Sequence, residues 1–290
     1  MKRAYRVVDV FTDTALLGNP VAVVLDAEGL DTDAMQRIAR WTNLSETTFL
    51  LPATVAEADL RLRIFTPRSE LPFAGHPTLG SAHAALEAGR LPLRDGRLVQ
   101  QCGSGLVPIA VEGTGPNRRL TLTLPPASLR PLTSDEVDEL EAILGEPVVR
   151  GSMPAVVDVG ALWVVAQLRS AERVLALVPD FARSAVFERR LRVTGLTVFG
   201  AHASGDAAIE VRSFAPSCGA DEDPVCGSGN GSVAVFRRAH GLLPADATSY
   251  IATQGRCVGR DGRVFVSVDA AGQVGVGGAC VTCVDGSLSG

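Results

Sequence analysis

Lysine is almost absent from this chain of 290 residues: Lys2 is the only one, and arginine supplies the other side chains that are positively charged at neutral pH. No run of basic residues occurs, and the formal net charge is −5, so the chain lacks the basic footprint of a nucleic-acid-binding protein. No apolar stretch approaches the roughly 20 residues that a membrane-spanning helix needs. We therefore expect neither a nucleic-acid partner nor a membrane partner.

The composition is that of a soluble globular protein, with 46% hydrophobic and 20% charged residues. The first ten residues already alternate like a strand, which predicts a chain without a signal peptide and a cytoplasmic location. The length is sufficient for two domains of about 140 residues, each with its own core.

Because we expect the chain to be cytosolic, we also expect its six cysteines to be reduced thiols. Cys280 and Cys283 have the spacing of a metal-binding pair, but no second Cys/His pair at zinc spacing accompanies them. They lie in a valine-rich strand pattern, where residues three apart point to opposite faces. This favours small buried hydrophobic side chains over a metal site, and we predict no metal.

A glycine-rich stretch at residues 223–232 dominates the sequence. The strand-like run 208–214 precedes it, and the apolar helical pattern 233–236 follows it. A strand, a glycine-rich turn and a helix place free backbone N–H groups and the positive end of a helix dipole at one point. The pattern therefore predicts an anion site, such as one for a carboxylate or a phosphate.

An earlier part of the chain carries a second copy of this arrangement. The element Arg-x-Phe-x-Pro occurs at residues 63–67 and again 149 positions later, at residues 212–216. Glycine-rich loops follow at Gly75 and Gly227, and a helical pattern follows each loop. A repeat of this length indicates a duplicated domain rather than a solenoid of short units. Two such halves predict a cleft in which a small acid is held from both sides.

We place the two halves at residues 1–128 and 129–290 and allow for an exchange of terminal strands between them. Pro125, Pro126 and Pro131 mark the linker. The second half is expected to begin with a helix near residues 133–144 and to contain another near residues 171–187.

Differences between the two copies point to the chemistry. Glu46 falls opposite Gly195 at the offset of 149, so only one half carries this carboxylate. Such an acid is either a general base or acid whose pKa is raised by burial, or a glutamate at the surface end of a strand. His76 could bond a carboxylate or shuttle a proton, or it could serve a structural role at a helix start.

The second loop offers two further candidates. Asp223 could act on the ligand or simply cap the turn. Cys226 lies where a helix dipole would lower the pKa of a thiol. Its counterpart in the first loop is Ala74, so the cleft does not carry two facing thiols.

Four motifs together resemble the PhzF-like phenazine-biosynthesis isomerase family, in order over nearly the whole chain. They are Gly-Asn-Pro-Val-Ala-Val at 18–23, Ser-Glu-Thr-Thr-Phe at 45–49, Phe-Ala-Gly-His-Pro-Thr-Leu-Gly at 73–80 and Asp-Pro-Val-Cys-Gly-Ser at 223–228. The wider superfamily is similar to diaminopimelate epimerase. The resemblance implies an α+β fold with two duplicated domains, each a β-barrel-like sheet wrapped around a central helix, with the active site between them.

The resemblance also implies roles for individual residues. Glu46, in the Ser-Glu-Thr-Thr-Phe motif, is implied as the acid/base that shifts a proton between carbons, with His76 and Asp223 beside it in catalysis. The resemblance implies a reaction without a metal or organic cofactor. It also implies a homodimer and a role in biosynthesis, such as antibiotic biosynthesis. The residues implied to hold or orient the substrate are Asn19, Gly75, His76, Asp223, Gly227 and Ser228.

The reaction we expect is a double-bond isomerisation of a small unsaturated carboxylic or amino acid, with Glu46 removing and returning the proton. The substrate could be a dihydroanthranilate-like acid or a cyclic imino acid such as a pyrroline carboxylate. One alternative is an amino-acid epimerase or lyase that uses Glu46 with Cys226 as the second acid/base. Another is a non-catalytic protein that binds small acids.

Overall fold

The computed structural model describes residues 2–289, which form a mixed structure of strands and helices. The strands are β1 (Lys2–Val10), β2 (Asn19–Val24), β3 (Thr47–Leu51), β4 (Leu60–Phe65), β5 (Glu70–Leu71), β6 (Arg97–Cys102), β7 (Gly105–Glu112), β8 (Arg119–Thr123), β9 (Ser128–Pro131), β10 (Ala155–Asp158), β11 (Leu162–Gln167), β12 (Gly195–Ala201), β13 (Ile209–Ala215), β14 (Ala220–Asp223), β15 (Thr248–Gln254), β16 (Gly262–Val268), β17 (Val274–Gly278) and β18 (Cys280–Ser289). The α-helices are α1 (Thr32–Thr42), α2 (Gly75–Glu87), α3 (Ser134–Leu144), α4 (Ala171–Leu175), α5 (Phe181–Leu191) and α6 (Gly227–Ala239).

The chain divides into two compact units. The first comprises residues 1–122 and 277–290, and the second comprises residues 123–276. The C-terminal strand β18 therefore belongs to the first unit, where it pairs antiparallel with β1. The sequence predicts residues 277–290 in the second half, with an exchange of terminal strands allowed for, and the structure groups them with the first unit.

Strand pairing in the first unit follows a fixed scheme. β1 pairs antiparallel with β2, β2 runs parallel to β3, and β3 is antiparallel to β4. β4 then pairs antiparallel with β5 and parallel with β6, which is antiparallel to β7. α1 lies between β2 and β3 in the chain, and α2 lies between β5 and β6.

The second unit repeats this scheme strand by strand. β10 is antiparallel to β11, β11 is parallel to β12, and β12 is antiparallel to β13. β13 pairs antiparallel with β14 and parallel with β15, which is antiparallel to β16. β9 pairs with β10 as β18 pairs with β1. The duplication expected from the Arg-x-Phe-x-Pro repeat is confirmed.

Each unit contains one buried helix that begins at its glycine-rich loop, α2 in the first and α6 in the second, both 13 residues long. Small residues allow the neighbouring strands to approach these helices. A Cβ atom added to Gly80 would lie 2.4 Å from Val21, and one added to Gly231 would lie 2.2 Å from Leu124. These contacts explain why the helices are rich in glycine, alanine and serine.

Several sequence-based expectations about local structure need correction. The helix expected near residues 171–187 is interrupted, because Pro179 cannot donate a backbone N–H; α4 ends at Leu175 and α5 begins at Phe181. The glycine-rich loops are shorter than expected, because Gly75 and Gly227 already form the first residues of α2 and α6. Pro131 is not only a linker residue, since it ends β9 and pairs with Ala155 of β10.

Cys280 and Cys283 both lie in β18, as the strand pattern predicted. Cys280 is buried, and burial raises the pKa of its thiol to about 12. Cys283 is only half-buried and lies at a bulge, because β1 pairs Val7 with Val284 and Val8 with Thr282. The view of both as buried hydrophobic side chains therefore fits Cys280 better than Cys283.

Candidate active site

The first unit places Glu46 at the entrance to β3. Its backbone carbonyl accepts a hydrogen bond of 3.3 Å from the N–H of Ala22 on β2. The following two residues, Thr47 and Thr48, are fully buried, and the Thr48 hydroxyl accepts a hydrogen bond of 2.8 Å from Ser81 on α2. The start of β3 is therefore tied to both β2 and α2, which fixes where the Glu46 side chain begins.

His76 is the second residue of α2 and contacts Glu46. Its Nε2 atom lies 3.3 Å from Oε2 of Glu46. Burial lowers the pKa of His76 to about 3, although a hydrogen bond to the backbone of Pro20 acts in the opposite direction. At neutral pH this contact therefore joins a neutral imidazole to a carboxyl group and is not an ion pair.

The bond to Pro20 also determines how the imidazole is oriented. Proline has no backbone N–H, so the His76 ring must donate to the Pro20 carbonyl. Nε2 faces Glu46 at 3.3 Å and makes no hydrogen bond, so we assign the bond to Pro20 to Nδ1. In a neutral ring with its proton on Nδ1, Nε2 is an acceptor. It can thus receive a hydrogen bond from Glu46 when the carboxyl is protonated.

Two further predicted residues lie beside this pair. Asn19 immediately precedes Pro20 and is buried at the start of β2. Gly75 begins α2, and a Cβ atom added there would meet only Leu122, at 3.9 Å. The structure therefore brings Asn19, Glu46, Gly75 and His76 together within the first unit, with open space in front of Gly75.

The second unit groups the other predicted residues at the start of α6. Asp223 ends β14, and its Oδ1 accepts a hydrogen bond of 3.1 Å from the N–H of Val225. Burial raises the pKa of Asp223 to about 6, and a hydrogen bond from Cys226 opposes the shift. The Asp223 carboxyl therefore changes its charge close to neutral pH.

Cys226 is the N-cap of α6, and its Sγ accepts a hydrogen bond of 3.3 Å from the N–H of Gly229. The sequence suggested that the helix dipole would lower the pKa of this thiol, and that expectation is wrong. Burial and the neighbouring charge of Asp223 raise it well above the ordinary value, outweighing the Gly229 bond. Cys226 is a neutral thiol that donates to Asp223.

Ser228, the second residue of α6, has a partner that no sequence motif indicates. Nε1 of Trp163 on β11 donates to Oγ of Ser228 over 3.0 Å. The repeat gives an indirect signal for this contact. Gly195 is the counterpart of Glu46, and the structure pairs Trp163 with Gly195 across the sheet. Gly227 precedes Ser228 as the first residue of α6.

A cavity of about 430 Å³ lies elsewhere in the second unit, and none of the predicted site residues lines it. Within residues 2–289, no group of three or more histidine, cysteine, aspartate or glutamate side chains has the arrangement of a metal site. In the same range, no helix is both long enough and apolar enough to cross a membrane.

Comparison with known proteins gives the family. The sequence matches the family described as phenazine biosynthesis-like protein over residues 8–286, a range that includes every predicted site residue. The chain belongs to this family. The pattern of four motifs had indicated this membership.

Relatives of the phenazine biosynthesis-like family cover nearly the whole chain. This chain is 39% identical to antisense-enhancing sequence 1 of Schizosaccharomyces pombe over 98% of both chains. It is 36% identical to trans-2,3-dihydro-3-hydroxyanthranilate isomerase of Pseudomonas aeruginosa, over 93% of this chain and 91% of that protein. Several further relatives are named isomerases, and this chain is an isomerase of the family.

Solved structures of the family have the same fold. The crystal structure of a PhzF-family protein from Bacillus anthracis superposes with a TM-score of 0.89 at 23% identity, covering 100% of this chain and 99% of that one. This likeness confirms the expected α+β fold, in which each of two duplicated domains wraps a sheet around a central helix.

Proposed function

We propose that this isomerase moves a proton, with a shift of a double bond, on a small unsaturated carboxylic or amino acid and without a cofactor. The observation that carries the proposal is the contact between Glu46 and the neutral His76, whose side chain is 10% exposed. A carboxyl group that both removes and returns a proton needs a neighbour that tolerates both of its protonation states. The His76 imidazole, an acceptor toward Glu46, stabilises the protonated carboxyl between the two steps.

The proposed reaction has two proton transfers. Ionised Glu46 takes a proton from an acidic C–H beside the unsaturated system, and the electron pair of that bond moves into the conjugated system. Protonated Glu46, held by Nε2 of His76, then returns the proton to a different carbon. The double bond changes position, no atom is lost, and the carboxyl returns to its starting state.

Recognition of the acid is assigned to the second unit. The first N–H groups of α6 carry the positive end of the helix dipole, and Ser228 adds a hydroxyl at the same place. Asp223, with a pKa of about 6, can accept a hydrogen bond from an amino group on the substrate when it is ionised. A dihydroanthranilate-like acid, which carries both groups, suits these side chains.

The relative from Pseudomonas aeruginosa supports this substrate class through its name, trans-2,3-dihydro-3-hydroxyanthranilate isomerase. The thiol-dependent epimerase is disfavoured, because burial and Asp223 raise the pKa of Cys226 and keep its thiol protonated. A biosynthetic pathway and a homodimer stay predictions.

Proton exchange followed by NMR tests the proposal. The protein is incubated in D₂O with a panel of unsaturated and saturated amino acids, beside the variants Glu46→Gln and Cys226→Ser. We expect deuterium incorporation with a moved double bond, slowed about a thousandfold in Glu46→Gln. Glu57→Gln, a substitution of an exposed glutamate in the same unit, is the matched control and should exchange at the parent rate.

The opposite pattern would overturn the assignment. Exchange at Cα that survives Glu46→Gln and is lost in Cys226→Ser would establish a thiol-based epimerase. Glu46→Gln must also bind the acid as the parent does, because the amide keeps the size of the side chain.

A further inference from the structure

We infer that Trp163 is a positioning residue that holds the Ser228 hydroxyl as a hydrogen-bond donor toward the carboxylate of the substrate. This inference rests on the proposed function and adds a residue to it. Its basis is the hydrogen bond of 3.0 Å between Nε1 of Trp163 and Oγ of Ser228.

The position of the indole is fixed by its surroundings. The Trp163 side chain is only 2% exposed, and Trp163 pairs with Gly195 on the adjacent parallel strand β12. A Cβ atom at Gly195 would lie 2.8 Å from Cζ3 of Trp163 and 2.1 Å from the carbonyl oxygen of Phe214. Glycine at position 195 therefore leaves room for the indole of Trp163 and for the Phe214 carbonyl, and a larger residue would contact both.

The chemistry of the two groups determines the direction of the hydrogen bond. An indole N–H can only donate, so the Ser228 oxygen must accept. The hydroxyl proton of Ser228 then points away from Trp163 and is available to another acceptor. Within hydrogen-bonding range is Sγ of Cys226, at 3.7 Å, which already accepts from Gly229. Sulfur is a weak acceptor, so a carboxylate oxygen replaces it with a gain in binding energy.

The contact between Trp163 and Ser228 takes the place that the contact between Glu46 and His76 has in the first unit. His76 and Ser228 occupy the same second position in α2 and α6. His76 is contacted by Glu46, whereas the counterpart of Glu46 is Gly195, and Trp163 supplies the polar contact instead. One helix start is thus equipped for proton transfer, and the other is equipped to donate hydrogen bonds to an anion.

The test uses the fact that the chain has two tryptophans. Trp41 is 74% exposed on α1, so Trp41→Phe leaves one indole N–H signal in a ¹⁵N NMR spectrum and assigns it to Trp163. Anthranilate is the acid probe, and anthranilamide is the uncharged control. We expect anthranilate, but not anthranilamide, to shift the Trp163 signal. Adding Ser228→Ala should move that signal in the absence of probe and weaken its response to anthranilate.

Binding constants complete the test in a double-mutant cycle. Trp163→Phe keeps an aromatic ring but removes the N–H, and we expect it to weaken anthranilate binding about tenfold. In the Ser228→Ala background the same change should have no further effect. Trp41→Phe should bind as the parent does.

Two results would overturn the inference alone. One is unchanged binding in Trp163→Phe, and the other is an equal loss with and without Ser228, which would indicate packing. A parent protein that does not bind anthranilate would contradict the proposed recognition of such acids, and the inference would fall with it. If Trp163→Phe does not fold, a Trp163 signal that is indifferent to Ser228→Ala would still refute the hydrogen bond.

Discussion

The starts of α2 and α6 have the same backbone setting but different side chains. Both helices are 13 residues long, and both follow a hairpin headed by an Arg-x-Phe-x-Pro element. The first helix start pairs His76 with Glu46, and the second pairs Ser228 with Trp163. Duplication thus supplied two similar helix starts, and we propose that divergence at a few positions gave them different chemical tasks.

The N-cap position shows the same divergence. Ala74 caps α2 without a polar side chain, whereas Cys226 caps α6 with its sulfur. Because the Cys226 thiol donates to Asp223, it belongs to the hydrogen-bonding network of its own unit. A cysteine at a helix start is therefore not by itself evidence of a reactive thiolate.

The largest loss of stability that we expect comes from adding one methyl group at Gly195, the counterpart of Glu46. Gly195→Ala forces a Cβ to within 2.1 Å of the Phe214 carbonyl, so it should cost about 3 kcal/mol or more of unfolding free energy. Gly75→Ala, where the nearest atom is 3.9 Å away, should change it by less than about 0.5 kcal/mol. Urea unfolding of both variants measures the contrast, and equal losses would contradict the described packing of β12.

The two arginines of the repeated element, Arg63 and Arg212, form ion pairs that differ in burial. Arg212 and Glu222 form an ion pair in which each side chain is 6% exposed, and Arg212 also donates to the carbonyl of Leu177. Glu222→Gln leaves a buried guanidinium without its counter-charge and should cost about 3 kcal/mol. The equivalent pair, Arg63 with Glu70, is 20% and 38% exposed, so Glu70→Gln should cost less than about 1 kcal/mol. Comparable losses in urea unfolding would refute this difference in burial.

Acid should destabilise the first helix start through His76. Its pKa is about 3 in the folded protein and about 6.5 when unfolded, so the unfolded chain binds the proton more tightly. Stability is therefore lost as the pH falls from 6.5 toward 3. His76→Gln should lose about 2 kcal/mol less than the parent between pH 7 and pH 4.5. His83, whose pKa burial lowers to about 4, is present in both proteins, so the difference between them isolates His76.

The second helix start should respond to pH with the opposite sign. The pKa of Asp223 is about 6 when folded and 3.8 in its ordinary state, so the folded protein binds this proton more tightly. The stabilisation from protonated Asp223 is present below pH 3.8 and is lost as the pH rises toward 6. The stability of Asp223→Asn relative to the parent should increase by about 2 kcal/mol between pH 4 and pH 7. A difference that does not vary with pH in thermal unfolding would show that the fold does not raise the pKa of Asp223.

Much of the fold could be predicted because its determinants are local or repeated. The ends of α1 are set by local residues, since Asp31 caps its first turn and Asn43 ends it in a left-handed conformation. The repeat of Arg63 and Arg212 indicated the duplicated sheet. The break between α4 and α5 could also have been read from Pro179, whose missing N–H interrupts the helical pattern.

The site was harder to predict, because its contacts join residues that are distant in the chain. Glu46 and His76 are 30 positions apart, and Trp163 and Ser228 are 65 apart, so no local pattern shows either contact. The pKa of Cys226 depends on burial and on the charge of Asp223, and both are products of tertiary packing. The motifs identified the residues, but only the folded chain shows which groups touch.

We propose that Glu46 transfers the proton and that Ser228 binds the carboxylate of the acid. The most direct test measures the rate of deuterium incorporation from D₂O against acid concentration in the parent, Glu46→Gln and Ser228→Ala. Glu46→Gln should lower the maximal rate about a thousandfold with little change in the half-saturating concentration. Ser228→Ala should raise the half-saturating concentration about tenfold with little change in the maximal rate. A Glu46→Gln protein that exchanges at the parent maximal rate would contradict the account.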